Sequence, residues 1–422
     1  MVVKERKANR LKTCDLVGQY LNVYLDEIRR APKEGKLVAY TNGAPIWFML
    51  NAQDIVFVHG EGYGAFSSAR KWERPMLETS AAEGITEEIC SYSRAHYGCA
   101  MMSTRELLPE NAVRESLLPT PKMTATVHSV CSTELLWSKA IAQLHNIPMF
   151  SVEVPYLQDM NDKKEYAKIT LNHLKQFVAF IEEVSGRPYN WDRLQEIMSI
   201  LKKAATLRMQ CLNMGSRHVP APGTFFDWAV SAGPVNYLAG RPETVGFYEQ
   251  LKAEVEDRIA KNISAVPNEK HRILWEGIML WPKVGRLSEK FAEANCAVVG
   301  GSYSHLGFWP YAEEIDVERP LESIATYLLD SGGMNWPPEV FLNHTVQFCK
   351  DNSIDGAVLA VPHTCRPVAG TLQMLGHSLV RNLGIPVVEF EGDHCDTNFY
   401  SDMRADYAIQ ALLEAMESRR RR

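Results

Sequence analysis

Two doubly wound α/β lobes, each built on a parallel four-stranded sheet and joined by a helical insert, are predicted by three features of the sequence. Short β-branched runs bounded by turn residues fall into two sets of four. Helical patterns separate most of these runs, as in the βαβ units of Rossmann-like sheets. Between the two sets lies a long stretch with helical periodicity and almost no strand signal. At 422 residues the chain also exceeds the usual size of a single hydrophobic core.

Residues 1–35 read as an N-terminal helical segment. The first lobe, 36–158, draws its strands from KLVAYT (36–41), DIVFVH (54–59), TATVHSV (124–130) and MFSVEV (149–154). The helical region, 159–268, places Leu174, Phe177, Phe180, Ile181 and Val184 on one helical face, with Gly186 as a stop and Pro188 beyond it. Two further helical stretches run from Trp191 toward Met214 and from Thr244 to Ile263. The second lobe, 269–422, draws on RILWEGI (272–278), CAVVGG (296–301), GAVLAV (356–361) and PVVEFEG (386–392).

With 46% hydrophobic and 23% charged residues the composition is that of an ordinary globular protein, and a net charge of -6 offers no basic footprint for nucleic acid. The N-terminal MVVKERKANRLKTCD lacks the apolar run of a signal peptide, and no stretch of about 18 apolar residues could span a bilayer. The expectations are a cytoplasmic protein with no nucleic-acid or membrane partner. In that reducing compartment the nine cysteines should be free thiols unless a metal takes some.

No two cysteines form a CxxC pair, so any metal or cluster site must be assembled by the fold from distant segments. In open α/β sheets ligands bind beyond the carboxyl ends of the strands. Cys131 follows the third strand of the first lobe and Cys365 the third strand of the second. If the lobes face each other, these thiols approach one cleft, and Cys90, on a helix beginning near Glu87, could close the set. Three protein thiolates would leave a fourth position open for chemistry. The competing reading is core filler, because free cysteine packs as a small hydrophobe. Cys211, Cys296 and Cys349 fit that reading.

HGEGYGAFSSARK after the second strand reads as a glycine turn, in which Gly60, Gly62 and Gly64 permit close approach and Arg70 or Lys71 could meet a phosphate. A plain tight turn is the alternative. Glu61 within it could be tuned for proton transfer at a cleft mouth, or be a surface glutamate. His59, His128, His363 and His394 lie in or just after strands, and His363, two residues before Cys365, has the best case for a role. Trp47, Tyr63, Phe66, Trp275 and Trp309 are candidate cleft walls, with core packing as the competing role, and Arg70, Lys71 or Lys283 could meet CoA.

Taken jointly, GEGYGAFSSARK, EEICSYSR, CSTELLW, SGRPYNWDRL, RILWEGIMLWPKVG, DGAVLAVPHTC and IPVVEFEGD resemble the 2-hydroxyacyl-CoA dehydratases and the related ATP-dependent benzoyl-CoA reductases. The resemblance runs from about residue 36 over nearly the whole chain and is closest to the larger, α-type subunits. It implies a catalytic subunit carrying one 4Fe-4S cluster on Cys90, Cys131 and Cys365, paired with a smaller homologous subunit. It also implies a separate ATP-hydrolysing iron-sulfur activator that injects one low-potential electron. The electron reaches the thioester carbonyl of a 2-hydroxyacyl-CoA, and the resulting ketyl radical anion expels the hydroxyl group. The β-hydrogen of such a thioester is too weakly acidic for simple base-catalysed elimination. Glu61 matches the family's active-site glutamate, implying a hydrogen-bonding or proton-transfer role.

The chain departs from that pattern at Gly43, where many dehydratases carry a serine; Thr41 or Asn42 could replace its polar group. WEGIMLWP is dehydratase-like, whereas YEQLKAEVEDRI and CAVVGGSYSHLG resemble reductase B-type subunits. The alternatives are a subunit of an aromatic acyl-CoA reductase and a non-catalytic two-lobed binding or electron-transfer protein.

Overall fold

The computed structural model describes residues 7–44, 46–105, 110–129 and 131–421. Eight strands form two parallel four-stranded sheets, as expected, and the predicted runs are shifted by no more than a few residues. The first sheet contains β1 (Val38–Asn42), β2 (Val56–His59), β3 (Met123–His128) and β4 (Met149–Glu153), in the order β2-β1-β3-β4. The second contains β5 (His271–Glu276), β6 (Cys296–Gly300), β7 (Gly356–Pro362) and β8 (Val387–Gly392), in the order β6-β5-β7-β8. The two orders are the same permutation. Each sheet therefore reverses its winding between its first and third strands, the point where a doubly wound sheet opens a ligand crevice. Val130, the last residue of the predicted third strand, and residues 1–6 of the N-terminal segment lie outside the described residues.

Parallel strands covered by helices on both faces need continuous apolar runs, and β1, β2, β5 and β6 are buried at every position. The middle of the chain is helical: Lys163–Ser185, Trp191–Arg217 and Pro242–Ala260 are its long helices. The predicted stripe holds. Leu174, Phe177 and Ile181 are fully buried, and Gly186 closes the helix in the left-handed conformation at φ 68°. One apolar cluster runs through both lobes and this helical region, and a second packs Trp275, Phe291 and Phe390 together on the second sheet. No described helix is long and apolar enough to cross a membrane.

The glycine-rich segment after β2 is a helix, Gly60–Ala69, and not a turn. Its glycines serve close packing. A Cβ on Gly60 would stand 2.3 Å from Asn42 Oδ1 and 2.4 Å from Trp137 Cζ2, and one on Gly64 would stand 2.7 Å from Tyr92. Tertiary contact thus overrides the poor helix propensity of glycine.

Candidate active site

A cavity of about 550 Å³ lies where the carboxyl ends of the two sheets face each other. Cys90, Cys131, Cys365 and Glu61 all line it. All three thiols are half-buried, and each occupies the residue just before a helix: Ser91–Arg105, Ser132–His145 and Arg366–Leu383. Cys90 therefore precedes its helix, which begins at Ser91, and the expected helix start near Glu87 is corrected. A helix N-terminus favours a negative sulfur through its free amides and dipole. Burial opposes this, pushing Cys131 up to about 11 and Cys365 up to about 12. Cys90 is raised by burial first and by the neighbouring Cys365 and Cys131 next. In the absence of a compensating cation all three are neutral thiols at pH 7.

Cys14, Cys99, Cys211, Cys296, Cys349 and Cys395 are buried free thiols outside the cavity. Among the described residues no three His, Cys, Asp or Glu side chains are grouped closely enough to hold a single metal ion.

The loops that carry two of the thiols are tied by Asp393, which follows β8 and is 2% exposed. One of its oxygens accepts from the Ser91 hydroxyl and from the amides of Cys395 and Asp396 at 3.1 and 3.0 Å. The other accepts from the Thr364 hydroxyl at 2.7 Å and its amide at 3.2 Å. Thr364 Oγ1 in turn accepts from the Ser91 amide at 3.1 Å. The backbone next to Cys90 in one lobe and next to Cys365 in the other is thus held by a single carboxylate. A buried ion pair, Arg94 to Asp396 at 2.8 Å, reinforces the junction. His394, fully buried, lies with Nε2 3.4 Å from Cys90 Sγ and packs on Tyr92 with ring centroids 4.1 Å apart and planes tilted by 45°.

Proton-handling groups gather on the first lobe. Glu61 Oε2 is 3.3 Å from His59 Nε2, and His59 Nδ1 accepts from the Gly62 amide at 3.2 Å. Glu134, in the first turn after Cys131, is raised well above the usual carboxyl range by burial and then by the charge of Glu61. On the second lobe Glu276 is 2% exposed, bonded to the hydroxyl and amide of Ser302, and pushed by burial up to about 7.

Several sequence expectations are redirected. His363 bonds Glu391 at 2.6 Å and stacks on Phe399 at 3.7 Å without lining the cavity, so His394 takes the place beside a thiol. Thr41 donates to the Val58 carbonyl at 3.3 Å and Asn42 to Ser138 at 2.7 Å; neither reaches the cavity, which Gly43 lines instead. Arg70 is bonded to Asn22, Lys71 to the Pro282 carbonyl and Lys283 to Asp402. Trp47 and Phe66 are cavity walls, whereas Tyr63, Trp275 and Trp309 belong to the core.

Glu134, Glu276, Asp393 and His394 were not singled out from sequence as site residues, apart from the weak histidine reading. The strand-end rule that selected the cysteines would have flagged Glu276, Asp393 and His394, which end or directly follow β5 and β8. Glu134 is distinguished only by its enclosure.

The family profile described as 2-hydroxyglutaryl-CoA dehydratase, D-component, matches residues 49–416. The chain is 25% identical to the (R)-phenyllactyl-CoA dehydratase alpha subunit of Clostridium sporogenes, covering 99% of this chain and 98% of that one. It is 23% identical, over the same shares, to the (R)-2-hydroxyisocaproyl-CoA dehydratase alpha subunit of Clostridioides difficile. Similarity extends to a subunit of the benzoyl-CoA reductase of Thauera aromatica, at 22% identity over 83% of this chain and 82% of that one. With a matching profile over most of its length and the strand-end cysteines in place, the chain belongs to the family described as 2-hydroxyglutaryl-CoA dehydratase, D-component.

Proposed function

We propose that this chain is the α-type catalytic subunit of a hydro-lyase that removes water from a 2-hydroxyacyl-CoA to give a 2-enoyl-CoA. It would work with a 4Fe-4S cluster, a smaller homologous subunit and an ATP-dependent iron-sulfur activator. The observation that carries the reading is the convergence of three thiols, from three separate strand–helix or loop–helix junctions, with Glu61 on one cavity. Alpha-subunit names among the relatives support a partner subunit.

The donor set suits a cluster. In a cluster each thiolate binds its own iron, so the sulfurs need not crowd as they would around one ion. Loading would expel three protons, offsetting the burial that keeps the thiols neutral. Cys90, Cys131 and Cys365 would hold the group, which when bound supplies a low-potential electron for the thioester carbonyl.

The chain's own residues do the rest. Asp393 fixes the spacing of the Cys90 and Cys365 loops. Glu61 is placed to pass a proton to the departing C2 hydroxyl, so that water leaves instead of hydroxide. Glu134 keeps its proton beside it, and His59 orients Glu61. The apolar walls exclude bulk water from the reacting centre. Nine free cysteines accord with a reducing cytoplasm.

The test is iron and acid-labile sulfide content, with an absorption spectrum, of anaerobically purified protein co-expressed with its partner. About four irons per chain in the wild type, lost in Cys131→Ser and in Cys365→Ser, is the expected result. Iron untouched by both changes would overturn the ligand assignment. Mass spectrometry of the product separates loss of water from reduction of an aromatic ring.

A further inference from the structure

The polar lining of the cavity is weighted toward carboxyl groups. Three carboxylic side chains line it, Glu61, Glu134 and Glu276, and among its described lining residues there is no lysine or arginine. Much of the remaining wall is apolar or aromatic, including Trp47, Phe66, Trp137, Trp281, Phe308 and Phe341. A cation does stand behind this wall. Arg208 is fully buried, donates to the carbonyls of Ser304 at 2.7 Å and Phe308 at 3.4 Å, and lies 5.6 Å from the Phe308 ring, outside the lining. Its guanidinium is spent on backbone and screened from the cavity by Phe308.

An acyl chain ending in a second carboxylate would bring an ion into a space whose described lining has no lysine or arginine to pair it and whose one described histidine, His59, already faces Glu61. Burying an unpaired carboxylate is heavily penalised. An uncharged branched or aryl chain avoids that penalty and gains from apolar burial against the aromatic wall. The long pantetheine arm of CoA keeps its phosphates away from the thioester, so the restriction falls on the acyl side alone.

Resting on the reading of this cavity as an acyl-CoA site, we infer that its substrate is an uncharged, apolar 2-hydroxyacyl-CoA, branched-aliphatic or aryl, and that a dicarboxylic acyl group is rejected. The specificity of this chain thus differs from the glutaryl substrate in the description of its family profile.

Equilibrium dialysis under anaerobic conditions, on the complex co-purified with its partner subunit, tests this with thioesters that lack the 2-hydroxyl and cannot react. The probes are 4-methylpentanoyl-CoA, 3-phenylpropanoyl-CoA, glutaryl-CoA and the terminal methyl ester of glutaryl-CoA. The first two should bind at least about 100-fold more tightly than glutaryl-CoA, and the uncharged ester should recover most of that gap. Glutaryl-CoA binding within about threefold of the apolar thioesters overturns the proposal alone, as does an ester as weak as the free acid. Binding by none of the four overturns the acyl-CoA reading itself and the proposal with it.

Discussion

The first lobe ends β1 in Asn42 and Gly43; the second ends β5 in Glu276 and Gly277. Both glycines have positive φ, 82° and 116°, and both line the cavity. A Cβ would strike a carbonyl of the adjacent third strand in each case, Val127 of β3 at 2.8 Å and Ala360 of β7 at 2.2 Å. Each third strand is followed by a cysteine at a helix N-terminus. The lobes part company after their second strands. β2 runs directly into the helix that holds Glu61, whose side chain remains 32% exposed. β6 runs into Gly301 and Ser302, and the amide and hydroxyl of Ser302 tie down Glu276. One scaffold thus presents a partly exposed carboxyl on one side and a buried, hydrogen-bonded one on the other, while Asp393 of the second lobe joins the two.

The largest expected effect sharpens this contrast. Glu61→Gln should lower the dehydration rate by about 10²- to 10⁴-fold with iron content unchanged, whereas Glu276→Gln should cost less than about tenfold. Initial rates by mass spectrometry decide it, and equal losses would break the assigned division of labour. Next comes the joint between lobes. Asp393→Ala strands several buried donors and should cost about 3–5 kcal/mol in urea unfolding and deplete iron. Asn42→Ala, which removes one bond inside the first lobe, should cost about 1 kcal/mol.

The smallest effect is a pH slope. Burial pushes Glu276 up to about 7, so between its unfolded value near 4.5 and that point the folded state holds a proton the unfolded chain has lost. Stability should therefore fall by about 2–3 kcal/mol as pH rises from about 4.5 to 7 and level off above. Glu276→Gln should remove this component. Asn42, at the matching place in the first lobe, is neutral and contributes none. Urea midpoints at pH 5 and 8 in both proteins check this; an unchanged difference would remove Glu276 as its source.

The strands were legible because a parallel strand buried on both faces must be apolar throughout, and such runs are distinctive over a few residues. The helix after β2 was not, because GEGYG has the composition of a turn and becomes helical only when Trp137, Asn42 and Tyr92 press against it. Among histidines, nearness in sequence misled. His363, two residues from Cys365, turns toward Glu391 and Phe399, while His394 reaches Cys90 across the lobe boundary, 304 residues away.

The sequence by itself determined the two sheets, the helical middle and the position of Cys131 and Cys365 beyond their strands, since these follow from local periodicity and from the direction in which parallel strands point. Only the tertiary structure decided that the lobes face one another, that Asp393 holds two cysteine loops, and that the shared cavity contains carboxyls but no described lysine or arginine. Those outcomes depend on which distant side chains are enclosed together, and enclosure, by stripping water from charges, is what turns ordinary residues into a site.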